Sequence, residues 1–185
     1  MPDDNEANFR RLVQVATKLS STLNLDELLQ LIMTSAAELL GAETSSLLLL
    51  DEQTGELVFE VVAGGPAQDL AGTRVPSGQG IAGWALERRE PVVVEDPAND
   101  TRFYRDVGRS TGFETRNLVA VPLLVKDKAV GVIEVINKHG GGGFTPLDID
   151  IAQALASFAA VAIDNASLYA RLADAVVTAR LSYRL

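Results

Sequence analysis

The 185-residue chain has no cysteine, one histidine and one tryptophan. Without cysteine it can form no disulfide framework, no thiolate metal site and no thioether-linked chromophore. The one histidine, His139, stands beside the glycine run Gly140–Gly143. A lone imidazole is a poor donor set for a metal or haem, so no cofactor is expected. The glycine run lacks the Gly-Lys-Ser/Thr ending of a phosphate loop and reads as a flexible connection. Positive charge is also scarce, with 16 basic residues against 25 acidic ones and a net charge of −9. Such a chain repels nucleic acid and anionic lipid, so neither is an expected partner. No uninterrupted apolar run reaches the roughly 18 residues of a spanning helix. The N-terminal residues Met1–Glu6 are polar and acidic and lack a signal-peptide pattern. A cytoplasmic protein with no membrane contact is expected. Nucleophilic catalysis wants an activated Ser or Cys beside a base, and no such word is present. The expectation is therefore not an enzyme.

What is present suits one α/β domain: 47% hydrophobic and 22% charged residues allow a sizeable core. Phe9, Leu12, Ala16, Leu19 and Leu23 recur at helical spacing. Asn24 can cap a second helix carrying Leu25, Leu28, Leu29, Ile32, Ala36, Leu39 and Leu40, with Gly41 as its stop. Strands are predicted at Ser45–Leu50, Glu56–Ala63, Pro91–Val94, Leu118–Val125 and Ala129–Ile136. A short helix is predicted after Gly80. A long final helix is predicted from Pro146, capped by Thr145. Its positions Ile151, Leu155, Phe158, Ala162, Asn165, Tyr169, Leu172, Val176 and Ala179 form a heptad stripe. Ala154, Val161, Ile163 and Leu168 add a second stripe, so the helix wants two partners: its own sheet and a copy of itself. The stripe runs almost to Leu185 with no stop signal, which predicts continuation into a further domain.

Several words then resemble GAF domains. They are Gln79-Gly80-Ile81-Ala82-Gly83, Phe103-Tyr104-Arg105, the stretch Ser110–Asn117, Val121-Pro122-Leu123, Val130-Gly131-Val132, Asn137-Lys138 and the closing Asn165–Tyr169. They are especially similar to the cyclic-nucleotide-binding GAF domains of mammalian phosphodiesterases and cyanobacterial adenylyl cyclases. The resemblance covers Asn24 to Tyr169. It implies an α/β (α+β) fold with a central antiparallel sheet of about six strands. Helices from both termini would pack on one face, and a lid over Gly64–Asn117 would close a ligand pocket on the other. The expected organisation is a dimerisation helix over 1–23, the GAF domain over 24–169 and the start of a signalling helix over 170–185.

Carried over position by position, the resemblance implies ligand contacts at Ser46, Ile81, Ala82, Tyr104, Thr111, Thr115 and Glu134. Backbone N–H groups at a helix start, as at Gly80-Ile81-Ala82, suit a phosphate. Two acidic positions of the binding family are Ala63 and Gly108 here, and the motif Asn137, Lys138, Phe144, Asp148 has Ile149 in place of Glu. A branch of the family reduces methionine sulfoxide with cysteines, which this chain lacks.

The residues leave alternatives open. Glu134 sits among Val130, Val132 and Ile136 under strand alternation, where a carboxylate is costly unless hydrogen-bonded or protonated. It is either an acceptor for a ligand N–H, a partly exposed carboxylate on a wet sheet face, or a residue paired with Arg116 or Lys138. Asn137, Lys138, Phe144 and Asp148 read as a structural motif, with a Lys138–Asp148 ion pair tying the strand end to the last helix. Arg102, Arg105, Arg109 and Arg116 either attract an anionic ligand or pair with nearby acids. Trp84 packs the lid helix or lines the pocket. The expected function is a small-molecule sensor, with a cyclic nucleotide as the most specific candidate. It would form a homodimer through its terminal helices and regulate a fused output domain. The alternative is a ligand-free dimerisation and protein-interaction module.

Overall fold

The computed structural model describes residues 2–63, 70–103 and 113–182. Helix α1 (Pro2–Ser21) is followed by α2 (Leu25–Leu40) and strands β1 (Ala42–Leu50), β2 (Leu57–Ala63) and β3 (Arg74–Val75). Helix α3 (Gly80–Arg88), strands β4 (Val92–Val94), β5 (Leu118–Val125) and β6 (Lys128–Lys138) and the long helix α4 (Pro146–Ser182) complete the chain. The strands form one six-stranded antiparallel sheet in the order β3-β2-β1-β6-β5-β4. This is the architecture expected, a mixed α/β domain with helices from both ends packed on one face.

Local chemistry sets the helix ends. Asn24 Oδ1 accepts the Glu27 N–H at 3.1 Å, which satisfies a donor that no helical carbonyl can reach. Gly41 adopts a left-handed conformation (φ 59°) and its N–H returns to Ala37 and Glu38. A side chain is disfavoured there, so glycine stops the helix. At α4 the Thr145 hydroxyl accepts the Asp148 N–H at 3.2 Å, while Asp148 Oδ2 accepts the Thr145 N–H at 2.8 Å. These reciprocal bonds form a capping box around Pro146.

The sheet separates two apolar layers. On one side Leu47, Val119, Val121, Leu123, Ile133 and Val135 pack against α2, α4 and Leu19 of α1. Each fully buried leucine here, such as Leu28 or Leu155, stabilises the fold by about 1.5–3 kcal/mol. On the other side Leu48, Leu118, Ala120 and Val132 pack under Ile81, Ala82 and Ala85 of α3, with Phe59, Val92 and Val94. We call this second side the lid face. Val130 does not share the lid face as alternation alone suggests; it packs against the helix layer. The ladder slips between Leu123 and Leu124 opposite it, and one extra residue exchanges the two faces. Gly131 lies beside this irregularity, where a Cβ would stand 2.2 Å from the Leu48 carbonyl oxygen. The two backbones approach so closely that only glycine fits.

The long helix corrects two expectations. By length and composition Pro146–Val176 is apolar enough to cross a membrane, which the run-length argument missed. Its first half, however, lies in the core through Ile151, Leu155, Ala156, Ala159, Ala160, Ile163 and Ala166. The heptad stripe also divides. Ile151, Leu155 and Ala162 are buried against the domain, while Phe158, Asn165, Tyr169, Leu172 and Val176 are exposed. The outward apolar line runs through Phe158, Val161, Asn165, Leu168 and Leu172. On α1, Leu12, Val15 and Leu19 face the core, whereas Phe9, and Leu23 just beyond the helix, assigned to that face by periodicity, are exposed.

Candidate functional site

Strand register assembles the centre of the lid face. Ser46 of β1 and Ala120 of β5 stand directly opposite Glu134 on the two sides of β6. The Ser46 hydroxyl donates to Glu134 Oε2 at 3.1 Å. Burial lifts the Glu134 carboxyl from its ordinary value to about 7, and the Ser46 hydrogen bond only partly offsets the rise. Neither cation considered from sequence reaches it. Arg116 pairs with Glu43, and Lys138 pairs with Asp148. Glu134 is therefore a half-buried carboxyl group whose one hydroxyl partner is Ser46, beside an apolar layer.

Helix α3 covers the same layer. Its first residues carry Ile81 and Ala82, both buried in the lid-face core. Gln79 precedes them in extended conformation without a side-chain cap, and Gly80 has a left-handed backbone (φ 72°). The opening N–H groups of a helix lack intrahelical partners and favour an anion. Gly83 packs so closely on the Gly78 backbone that an added Cβ would stand 2.9 Å from it. Two guanidinium groups lie over the Trp84 ring, Arg88 at 5.2 Å and Arg102 at 4.8 Å from its centroid. Arg102 also donates to both oxygens of Asp100, at 3.0 and 2.7 Å. Of the lid arginines, Arg102 and Arg116 are thus paired with acids, and Arg105 and Arg109 lie outside the described residues. Tyr104, Thr111 and Gly108 also lie outside them. Ala63 ends β2 with its backbone opposite Ser45, one residue from Ser46.

Thr115 is half-buried in the extended segment that enters β5. Its position is set by Asn137. The Asn137 side chain accepts the Arg116 N–H at 2.8 Å and donates to the Glu114 carbonyl and to Glu43, both at 2.9 Å. It thereby clamps the chain on both sides of Thr115. Asn137 is fully buried with φ 62°, a left-handed conformation that asparagine tolerates better than most residues. Neighbouring Lys138 donates to the Leu40 carbonyl at the end of α2 and to Asp148 Oδ1 at 2.7 Å. Burial pushes the Asp148 carboxyl up, but Lys138 and the Thr145 donors outweigh it and hold it below its ordinary value. Phe144 is buried in the helix layer, and Lys138 Nζ lies 6.0 Å from its ring centroid. These four residues join α2, β1, β6, the lid's return segment and α4. Sequence reasoning missed the Asn137 clamp on Thr115, because its partners come from two distant segments.

Among the described residues no cluster of His, Asp and Glu could hold a metal ion.

Comparison with known proteins places this geometry in a family. The GAF domain model matches residues 24–163, and the chain belongs to the GAF domain family. It is a regulatory GAF domain related to those of cyclic-nucleotide phosphodiesterases. It is 28% identical over 176 residues to a probable 3',5'-cyclic phosphodiesterase pde-5 of Caenorhabditis elegans, an alignment covering 90% of this chain and 24% of the relative. It is 32% identical over 181 residues to the dual 3',5'-cyclic-AMP and -GMP phosphodiesterase 11A of Takifugu rubripes, covering 92% of this chain and 20% of the relative. The chain therefore spans a quarter or less of these curated relatives. Among solved structures, the GAF domain of a phosphoenolpyruvate-protein phosphotransferase from Coxiella burnetii superposes with a TM-score of 0.79. Identity there is 22%, over 89% of this chain and 96% of that one. The free methionine-R-sulfoxide reductase of Neisseria meningitidis gives 0.73 at 22% identity, over 88% and 91%. At such identity these likenesses concern the fold.

Proposed function

We propose that this domain is a small-molecule sensor that binds a cyclic nucleotide on its lid face and passes the signal through α4 to a fused output domain. The observation that carries the reading is the Ser46–Glu134 pair at the centre of that face, roofed by the opening of α3. A carboxyl group held in an apolar layer with one hydroxyl partner is costly to the fold, and such groups gather at binding sites. In this reading Glu134 and Ser46 meet the base, and the backbone at Ile81 and Ala82 meets the phosphate. Thr115, held by Asn137, completes the ligand contacts with Tyr104 and Thr111. Asn137, Lys138, Phe144 and Asp148 serve the frame instead. The domain itself performs no chemistry and works in the cytoplasm, away from membrane and nucleic acid. Residues 24–169 form the sensing unit, 1–23 a dimerisation helix and 170–185 the start of the signalling helix.

Transmission needs a second copy. Phe158, Val161, Leu168 and Leu172 lie exposed along one line of α4, with Asn165 at an inner position of the repeat. A polar residue at such a position fixes register in paired helices. Phe9 and Val13 of α1 are also exposed. A parallel homodimer through these helices would bury the surface, and a ligand would act by favouring one helix arrangement over another. The same surface supports a second reading, a dimerisation module without ligand. Titration of the purified domain with cyclic AMP and cyclic GMP separates the two. Saturable binding supports the sensor, and its absence with a stable dimer supports the module.

A further inference from the structure

Which edge of a base the lid face can read follows from the hydrogen-bonding capacity of Ser46 and Glu134, given that this face is the ligand site. The Ser46 hydroxyl has one proton, and it is spent on Glu134 Oε2. That leaves Oε1 to face whatever enters. The apolar layer of the same face holds Leu48 from β1, Leu118 and Ala120 from β5, Val132 from β6, and Ile81, Ala82 and Ala85 from α3. None of these side chains titrates or carries charge. Ala120, in register with Glu134, adds only a methyl group on that flank. The nearby cations of the described residues are engaged elsewhere: Arg116 with Glu43, Lys138 with Asp148, Arg102 with Asp100. Glu114 is exposed and turns its backbone carbonyl to Asn137. The stretch 104–112 carries Tyr104, Arg105, Asp106 and Arg109 in sequence and lies outside the described residues.

We propose that the Ser46–Glu134 pair meets its ligand as a neutral carboxylic acid, and so selects a heterocycle whose edge sets a ring-nitrogen acceptor beside an amino donor, as an adenine-type base does. The acid proton on Oε1 donates to the ring nitrogen. Oε2, which already accepts from Ser46, has a second lone pair for the amino group. A guanine-type edge presents two donors side by side and needs the ionised carboxylate, whose charge this apolar surround disfavours. Proton occupancy then sets base preference. Binding of an adenine-type ligand holds the proton on Glu134, and binding of a guanine-type ligand expels it.

The two cases have opposite pH dependence. A ligand that needs the proton binds with constant affinity below the carboxyl's titration midpoint and weakens above it, by up to about tenfold per pH unit. A ligand that needs the anion strengthens with rising pH and levels off above the midpoint.

The test combines two measurements on the 185-residue domain. First, the carboxyl carbon of Glu134 is followed by NMR in the ligand-free protein, with Glu134→Gln used to assign the signal. Second, cyclic AMP and cyclic GMP dissociation constants are measured from about pH 6 to about pH 8.5 for both proteins. Expected are a carboxyl that titrates near neutrality and cyclic AMP binding that weakens at the alkaline end. In Glu134→Gln, whose amide keeps a donor and an acceptor without titrating, cyclic AMP affinity should be flat across the range. A carboxyl titrating below about pH 5, or cyclic AMP binding independent of pH in the unaltered domain, overturns the inference while leaving the sensor reading intact. Failure of both nucleotides to bind at any pH overturns the sensor reading and this base assignment together.

Discussion

Asn137 and Thr115 are linked through backbone alone: the Asn137 amide holds the peptide groups of Glu114 and Arg116 on either side of the threonine. One buried side chain thus fixes where the lid returns to the sheet. Asn137→Ala should cost about 3 kcal/mol, because it removes the partners of the Arg116 N–H and the Glu114 carbonyl and leaves a left-handed alanine. Asn137→Gly relieves the backbone and should fall between the two. Urea unfolding of the three proteins checks the order. Equal stability of the alanine variant and the unaltered domain would mean the clamp holds nothing.

Glycine 131 makes a sharper structural prediction. A Cβ there meets the Leu48 carbonyl oxygen, a backbone atom in the paired strand that has no rotamer to escape into. Gly131→Ala should destabilise by about 3 kcal/mol or more. Gly142→Ala, where a Cβ would meet nothing within 4 Å, should stay within about 0.5 kcal/mol. Thermal melts of both variants make the comparison.

Glu134 should make stability fall as pH rises. Its folded-state value, about 7, lies above the ordinary 4.5, so the folded chain keeps a proton that the unfolded chain has released. The contribution is full below the ordinary value, is lost between there and about 7, and is constant beyond. At 1.36 kcal/mol per pH unit the loss amounts to at most about 3 kcal/mol. Glu134→Gln removes the titration, so its stability relative to the unaltered domain should improve between about pH 5 and about pH 8. Denaturant unfolding at both values tests this, and parallel pH profiles would contradict it.

The exposed line on α4 predicts the assembly state. Leu168 is 46% exposed and Leu172 is 63% exposed, so glutamate at either position disturbs nothing in the core. Leu168→Glu with Leu172→Glu should convert a dimer to a monomer by light scattering without lowering the unfolding temperature of the isolated fold. An unaltered domain that is monomeric at high concentration would remove the dimer from the account.

The parts of this architecture that depend on local chemistry were legible in the sequence. Asn24, Gly41 and the Thr145-Pro146 start announce themselves because a cap is decided within one helical turn. The two-residue strand β3 did not, since Arg74 and Val75 become a strand only by pairing with Val58 and Leu57. The heptad reading of α4 mixed two faces, because its stripe straddles the edge of the buried face, with Leu155 and Ala162 on the domain side and Phe158 and Asn165 on the open side. At the site, Ser46 and Glu134 could each be singled out by resemblance. Their hydrogen bond could not, because it spans 88 positions and depends on strand register. The same register excludes the pairings with Arg116 and Lys138 that sequence proximity suggested. Val130 shows the cost of alternation rules near a bulge, where one extra residue turns a side chain to the opposite layer.

The central claim is that the lid face of this domain binds a cyclic nucleotide through Glu134, and calorimetric titration at neutral pH tests it most directly. Saturable one-to-one binding of cyclic AMP is expected, abolished by Glu134→Ala in a protein that remains folded. No heat and no thermal stabilisation with either cyclic AMP or cyclic GMP would contradict it, and would leave dimerisation as the property that the domain contributes.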